Sequence, residues 1–521
     1  MAKVVLIKAS DISHYRPLMP PWVWEIGKNY NFAMTPPLGI MSIASVLRNK
    51  GHEVGIIDMR ETELKNQSLK GEIEKHSPEI VGISAITTEA PSLHAIAKVA
   101  KEVDKKTFVI AGGPHASSFI QKVLSDPNID CAVIGEGEEI AQELVDAIVR
   151  KRDIGEVKGI AFRKNGGVLL TPPRPYIHDL DALPFPAWDL VDLNLYGRFR
   201  SMASVGLRKY MTIFTSRACP YQCIYCHNLF GKIYRTRSPE NVLQEMEILV
   251  KDHGVEEVEI LDDIFNLDIP RAHAICDLII KKKLKIGFSF PNALRGDRLP
   301  TELLRKFKDA GLNFTSIAVE TASPRLQKLI KKNLNLNKVS EAIKELHHLR
   351  VFTRGFFMLG FPTETREEML ATIRFAMESE LPSAMFFIVT PFEGTEVEKQ
   401  FRERIQEKAY SFTGYDYFTA PFNLSRESTE EVQKLQRYAI FRFNMNPWRL
   451  YQIVSTFPRK HHLYVYAISL VKTFFIQKSE RNIPHGKESG LAGVDGPSQG
   501  GFNEAQPKAD NHHGKDTPHQ G

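Results

Sequence analysis

The chain has 521 residues, room for two to four domains, and its 43% hydrophobic and 25% charged residues are those of a folded globular protein. No run approaches the roughly 18 uninterrupted apolar residues of a membrane span, and Lys3 and Lys8 bracket the first apolar run, unlike a secretory leader. The net charge of +6 is mild, no basic-aromatic stretch of an RNA-binding kind stands out, and five cysteines suit a reducing compartment, so a cytoplasmic protein without a nucleic-acid partner is expected.

Residues 1–150 alternate strand and helix. Strands are predicted at Lys3–Ala9, Glu53–Asp58, Ile80–Ser84, Thr107–Ala111 and Cys131–Ile134, each short, apolar and rich in Val and Ile, as strands buried on both faces are. Ile40, Ile43, Ala44 and Leu47 recur at helical spacing before Gly51, and a last helix is predicted over Glu138–Arg150. The pattern is an α/β fold with a doubly wound parallel sheet. Its ligand edge lies at the C-terminal ends of the strands. There stand Ser84-Ala85-Ile86-Thr87-Thr88, Gly112-Gly113-Pro114-His115 and Gly135-Glu136-Gly137-Glu138. Glycines there admit close backbone approach to a large ligand, and equally make tight turns. No G-x-G-x-x-G follows the first strand, which weighs against a dinucleotide.

Residues 151–205 form a connector. Gly159–Arg163 and Val168–Thr171 read as a hairpin around Lys164-Asn165-Gly166-Gly167, and the prolines between Pro172 and Pro186 stiffen an ordered strap anchored by Trp188.

Residues 206–395 alternate again. Strands are predicted at Met211–Thr215, Glu257–Leu261, Lys285–Phe290, Phe314–Val319, Arg354–Leu359 and Ala384–Val389, six βα units of a partial barrel. Cys219, Cys223 and Cys226 follow the first of these strands at Cys-x3-Cys-x2-Cys spacing. Clustered thiolates select iron–sulfur clusters, zinc or copper(I). Zinc wants a fourth ligand that His227, adjacent to Cys226, is badly placed to give, and a disulfide needs an oxidising compartment, so a cluster with one open iron is the preferred reading over zinc, a disulfide or three core cysteines. Asp262-Asp263 ends the second strand, where a carboxylate pair suits an ammonium ligand or complements a helix dipole. Asn292, Arg295 and Asp297 follow the third strand and either reach a ligand or close a loop salt bridge. Glu320 ends the fourth, where packing alone does not explain a charge, and Gly360 follows the fifth as a ligand support or a turn. Cys131 and Cys276 read as core residues.

The cysteine spacing, with Tyr225 before the last cysteine, resembles the radical S-adenosylmethionine (SAM) superfamily. Together with Pro36-Pro37-Leu38-Gly39, the Gly-Gly-Pro-His and the Gly-Glu-Gly-Glu, it looks like the cobalamin-binding class of that superfamily. The resemblance covers roughly residues 1–445. It implies a Rossmann-like cobalamin domain before a (β/α)6 radical SAM core, and a 4Fe-4S cluster on Cys219, Cys223 and Cys226. Tyr225, Asp262, Asp263, Arg295, Glu320 and Gly360 would then attend SAM, and Pro37, Gly39, Ser84, Thr87, Gly112, Gly113, Gly135 and Gly137 would attend cobalamin. The Asp-x-His-x-x-Gly signature of a lower cobalt ligand is absent, as is common in the class. Methylthiotransferases carry three further cysteines in the first domain, where this chain has Cys131 alone. The implied chemistry is reductive cleavage of SAM, hydrogen abstraction from a small-molecule substrate and methylation of the resulting carbon, fed by a flavodoxin or ferredoxin and run by a monomer. An oxidative cyclase of the same family is the alternative, and a non-catalytic cobalamin sensor is the reading from another class.

Residues 396–485 read as a helical region. An aromatic stretch, Tyr410, Phe412, Tyr415, Tyr417, Phe418 and Phe422, either walls a pocket or packs ordinarily. Helices are predicted at Thr429–Phe443, Pro447–Thr456 and His461–Gln477, the last suited to burial or to peripheral membrane contact. Residues 486–521 have the composition of a disordered tail.

Overall fold

The computed structural model describes residues 1–10, 34–406, 423–464 and 467, apart from single positions 66, 204, 207, 228 and 393. The aromatic stretch, most of the third C-terminal helix and the tail therefore lie outside the described residues.

Seven strands make the first sheet: β1 (Lys3–Lys8), β2 (Glu53–Asp58), β3 (Ile80–Ser84), β4 (Phe108–Gly112), β5 (Cys131–Val133), β6 (Ile160–Lys164) and β7 (Gly167–Leu170), in the order β2-β1-β3-β4-β5-β6-β7. The first five are parallel. Alternation sorts their side chains between two cores. Val4 and Leu6 pack with the helices Leu38–Asn49 and Gly137–Val149, while Val5 and Ile7 pack on the other face with Ala90–Val103. The sheet is not wholly parallel, as the hairpin of the connector joins it: β6 runs antiparallel to β5, pairing Cys131 with Phe162 and Val133 with Ile160. Asn165 and Gly166 both have positive φ (53° and 80°), the turn that matches strand twist, and the buried Ile160–Phe162 face covers what would otherwise be the bare edge of a three-residue strand.

The second sheet is parallel, in the order β15-β14-β13-β12-β11-β8, with β8 (Tyr210–Ile213), β11 (Glu257–Ile260), β12 (Gly287–Leu294), β13 (Leu312–Glu320), β14 (Phe352–Leu359) and β15 (Ser383–Ile388). Among the described residues β8 and β15 are not paired with each other, so the barrel is open. The helix Thr429–Asn444 lies along β15, where Gln436 donates to the Phe386 carbonyl at 2.8 Å, and covers that edge. A short antiparallel ladder, β9 (Ser216–Arg217) with β10 (Arg235–Thr236), closes the neck of the cysteine loop. Trp188, 4% exposed, sits in one apolar cluster with Leu38 and Met41 and with barrel residues, and the Ala187 N–H donates to the Met41 carbonyl, so the strap ties the first sheet's helix layer to the barrel.

Candidate functional site

At the C-terminal edge of the first sheet opens a cleft of about 1220 Å³ of empty space, its open mouth included, walled on its other side by residues that follow β8. It lies at the switch point where the strand order of the first sheet reverses, between β1 and β3. Its walls include Gly39, Ser84, Gly112, Gly113, Gly135 and Gly137 from the first sheet, and Phe214, Arg217 and Phe230 from the barrel side. Of the residues expected at this edge, Thr87 and Pro37 are not in those walls: Thr87 is in a short 3-10 turn and Pro37 is the buried residue preceding the helix Leu38–Asn49. A Cβ built on Gly39 or Gly135 meets nothing within 4 Å, so these two positions leave open space, whereas one on Gly113 falls 2.9 Å from the Ala85 carbonyl oxygen. A broad, largely apolar cleft with a glycine edge suits a large planar ligand such as a corrin ring. His115 does not face it; it is buried in the helix Gly113–Ser118, stacked on Phe119, and burial pushes it down to about 4.

The loop holding the cysteines is fixed at its neck. Asp262 is buried and accepts from the Thr215 N–H at 2.6 Å, from Thr215 Oγ1 at 2.5 Å and from Ser216 Oγ at 2.6 Å. The expected ligand carboxylate is therefore a clamp on the chain just before Cys219. Asp263 is the member of the pair left open, and confinement in the concave mouth, with repulsion from Asp262, pushes it up to about 6. Beyond the clamp Ala218 takes a left-handed φ of 72°. Cys219 and Cys223 are half-buried and Cys226 is exposed; none forms a disulfide. The Cys226 thiol donates to Cys223, pushing Cys223 down to about 6 and Cys226 up. Among the described residues no three His, Cys, Asp or Glu side chains gather as they do around a single metal ion. Three unpaired thiols on one loop, two of them in contact, are a donor set that fits three corners of a 4Fe-4S cluster.

Around the cysteines stand charges. Glu320 has a φ of 65° at a register shift in β13, a bulge that turns its side chain out of the strand alternation. It pairs with Lys332 at 2.8 Å, both under 10% exposed. Burial opposes the Lys332 charge, but Glu320 and the sulfurs of Cys223 and Cys226 hold it above the ordinary lysine range. Arg295 closes the loop salt bridge to Asp297 at 2.9 Å, donates to the Lys332 carbonyl and lies 3.9 Å from the ring centre of Tyr221 in the cysteine loop. Asn292 donates to the Asp262 carbonyl. Tyr225 packs edge-on against Phe361, ring centres 5.7 Å apart. Gly360 is a turn, with φ 89°. The Glu364 carboxylate accepts from the N–H groups of Gly360 and Phe361 at 2.6 and 2.9 Å, and burial pushes it up to about 8.

Sequence reasoning did not find the junction between the two halves. Arg217 and Arg235 lie opposite each other in the β9–β10 ladder. Arg217 reaches Glu136 at 2.9 Å and Glu138 at 2.5 Å, and Arg235 reaches Glu136 at 2.8 Å, all well buried. Glu136 also accepts from the Ile177 N–H of the strap at 2.8 Å. Burial disfavours its charge, yet the two guanidiniums hold it below the usual carboxylate range. The alternation in Gly135-Glu136-Gly137-Glu138, two carboxylates two residues apart, was the available signal; its partners are visible only once the halves are docked.

Comparison with known proteins follows the same division. A family model described as the B12 binding domain matches residues 33–145, and one for the radical SAM superfamily matches residues 213–376. An uncharacterized methyltransferase of Pyrococcus horikoshii is 33% identical over 79% of this chain and 88% of its own length. Cytidylyl-2-hydroxyethylphosphonate methyltransferase of Streptomyces wedmorensis is 30% identical over 70% of this chain and 77% of its own length. The structure of the radical SAM methyltransferase TsrM from Kitasatospora setae, with cobalamin and a [4Fe-4S] cluster bound, shares the fold at a TM-score of 0.62, with 18% identity over 78% of this chain and 75% of that one. The chain belongs to the cobalamin-dependent radical SAM enzymes of the methyltransferase-like kind, whose cofactors are cobalamin, a 4Fe-4S cluster and SAM.

Proposed function

We propose that this enzyme methylates an unactivated carbon of a small-molecule substrate held in the cleft between its two sheets. The observation that carries the reading is the junction of Glu136 and Glu138 with Arg217 and Arg235, which joins the glycine edge to the neck of the cysteine loop and so supports one shared reaction space.

In this reading Cys219, Cys223 and Cys226 hold the cluster and leave one iron for SAM. Gly39, Gly112, Gly113, Gly135 and Gly137, with Ser84, make the cobalamin edge. When bound, the cluster with SAM supplies a radical that removes hydrogen from carbon, and cobalamin supplies the methyl group. The chain's own part is to orient and to exclude water. Asp262 fixes the cysteine loop, Asp263 offers a carboxylate to the SAM ammonium, and Lys332 with Arg295 puts cationic groups beside Cys223, which favours its ionised form. Tyr225 and Phe361 close the apolar side of the mouth. Electrons come from a ferredoxin or flavodoxin, and the protein acts as a monomer.

The test is anaerobic isolation from cells supplied with cobalamin, with iron, sulfide and cobalt measured per chain, for the native protein and for Cys219→Ala, Cys223→Ala and Cys226→Ala. Each substitution is expected to abolish the brown chromophore and 5′-deoxyadenosine formation while cobalt is retained. A methylated product together with S-adenosylhomocysteine and 5′-deoxyadenosine supports methyl transfer. Deoxyadenosine with an altered but unmethylated product moves the assignment to ring closure, and a protein with cobalt that never cleaves SAM is a sensor.

A further inference from the structure

Far from the cleft, two C-terminal helices carry an exposed outer face. Thr429–Asn444 buries Leu435, Ala439 and Phe443 against the barrel, and Pro447–Thr456 buries Arg449, Gln452 and Ile453. Their opposite faces are apolar and aromatic. Tyr438, Phe441, Met445, Trp448, Tyr451 and Val454 are each between 48% and 60% exposed. Tyr438, Phe441 and Met445 follow one another at helical spacing, and the rings of Trp448 and Tyr451 stack with centres 5.2 Å apart. Scattered surface apolar residues are ordinary; a continuous set of this size marks a contact surface.

The charge around it is one-sided. Residues 432–464 contain Lys434, Arg437, Arg442, Arg449, Arg459 and Lys460, and no Asp or Glu. Arg449 is used internally, donating to the carbonyls of Leu381, Ala376 and Met377, and Arg459 pairs with Glu256. Arg442 and Lys460 are exposed at the surface. Two acidic residues open the first of these helices: Glu431 is engaged by Arg366 at 3.0 Å and lies 3.7 Å from Lys434, and Glu430 is exposed one turn before the patch.

We propose that the outer faces of these two helices dock the enzyme on an anionic phospholipid membrane. Aromatic rings with one apolar and one polar edge, methionine and valine beside them, and arginine and lysine around them are the composition of a helix that lies in a bilayer interface. A second copy of the chain fits less well, because it would set cations against cations. Among the described residues no helix is long and apolar enough to cross a membrane, so the contact is a surface one. The patch also lies toward the end of the barrel opposite the cysteines: Phe457, just beyond it, packs on Phe352 at the start of β14, and Arg449 holds the carbonyl of Leu381 before β15. Docking there leaves the cleft untouched and does not depend on which reaction the cleft performs.

The experiment is flotation of the full-length holoenzyme with vesicles of phosphatidylcholine, and of phosphatidylcholine mixed with phosphatidylglycerol. The protein is expected to float with the anionic vesicles and to be released by salt. The combined Phe441→Ser, Trp448→Ser and Tyr451→Ser variant is expected to partition at least about tenfold less. Arg442→Glu with Lys460→Glu, at two exposed positions, is expected to weaken binding by about tenfold or more. Both should cleave SAM at the native rate. The proposal is overturned if the native protein ignores anionic vesicles, if both variants bind as the native protein does, or if the native protein is a dimer that the aromatic variant dissolves while no vesicle binding is seen.

Discussion

The glycine edge of the first sheet and the mouth of the barrel lie on either side of the Glu136–Arg217–Arg235 junction and are built on opposite principles. The edge offers space: Gly39 and Gly135 leave room where a side chain would stand, and its walls are apolar. The mouth offers charge and strain: Ala218 and Glu320 are held at positive φ, and Asp262, Asp263, Glu320, Lys332 and Arg295 stand close around three thiols. A large, weakly polar ligand is recognised by shape, whereas a cluster and a zwitterion need fixed charges in a confined place. Two buried glutamates carry the contrast into titration. Glu136, at the junction, is held below the carboxylate range by arginines; Glu364, under the mouth, is pushed up to about 8 by burial.

The comparison breaks most severely at the junction. Glu136→Gln leaves Arg217 and Arg235, opposite one another in a two-residue ladder, with the shared carboxylate gone. Losing one partner of a buried ion pair costs about 3 kcal/mol or more, since the other charge stays desolvated. Denaturant unfolding should show that loss, with the barrel and the first sheet no longer melting together. The sign with pH is set by the depressed value: the stability Glu136 contributes is present above the ordinary carboxylate pKa and is lost as pH falls through its lowered folded value.

A smaller effect sharpens the mouth. Glu364 is raised from 4.5 to about 8, so the folded state holds a proton that the unfolded chain has released. Its contribution is therefore favourable at low pH and is eroded as pH rises from about 4.5 to about 8, after which it is level. Glu364→Gln keeps a carbonyl for the Gly360 and Phe361 N–H groups and removes the titration. The variant should be more stable than the native protein at pH 8, by on the order of 2 kcal/mol after relaxation, and the two should converge toward acid pH in thermal scans.

How much of this the sequence disclosed follows the same line. Strands buried on both faces announce themselves by composition, and the six barrel strands and five parallel strands stand within a few residues of where Val, Ile and Phe put them. The gathering of the cysteines on one loop and of the glycines along one sheet edge was legible because spacing and position after a strand are local features of the chain. What was hidden depends on tertiary contact. Asp262 looked like a ligand group and is a clamp, because Thr215 and Ser216 return their donors to it. Lys332 was invisible because only the bulge at Glu320 turns that carboxylate toward it. Arg217, two residues before Cys219, carries no sign in sequence that it joins the two domains, because Glu136 and Glu138 reach it only across the junction. The hairpin was seen but not its pairing with β5, since nothing in its residues names its neighbour.

The mildest change tests the edge alone. Gly39 is in the first turn of the helix Leu38–Asn49, lines the cleft, and an added Cβ would meet nothing within 4 Å. Leucine is a better helix former than glycine by roughly 0.8 kcal/mol, so Gly39→Leu should leave the protein as stable as before or slightly more so. The same side chain would reach into the space that a corrin ring needs. Cobalt per chain after equilibration with limiting cobalamin should fall, equivalent to about a tenfold loss of affinity or 1.4 kcal/mol, while iron per chain and 5′-deoxyadenosine formation stay unchanged. A matching loss of iron would mean that the edge and the mouth do not act independently, and full cobalt would mean that the ring lies elsewhere in the cleft. Because stability and cobalt are expected to move in opposite directions, unfolding cannot account for the result.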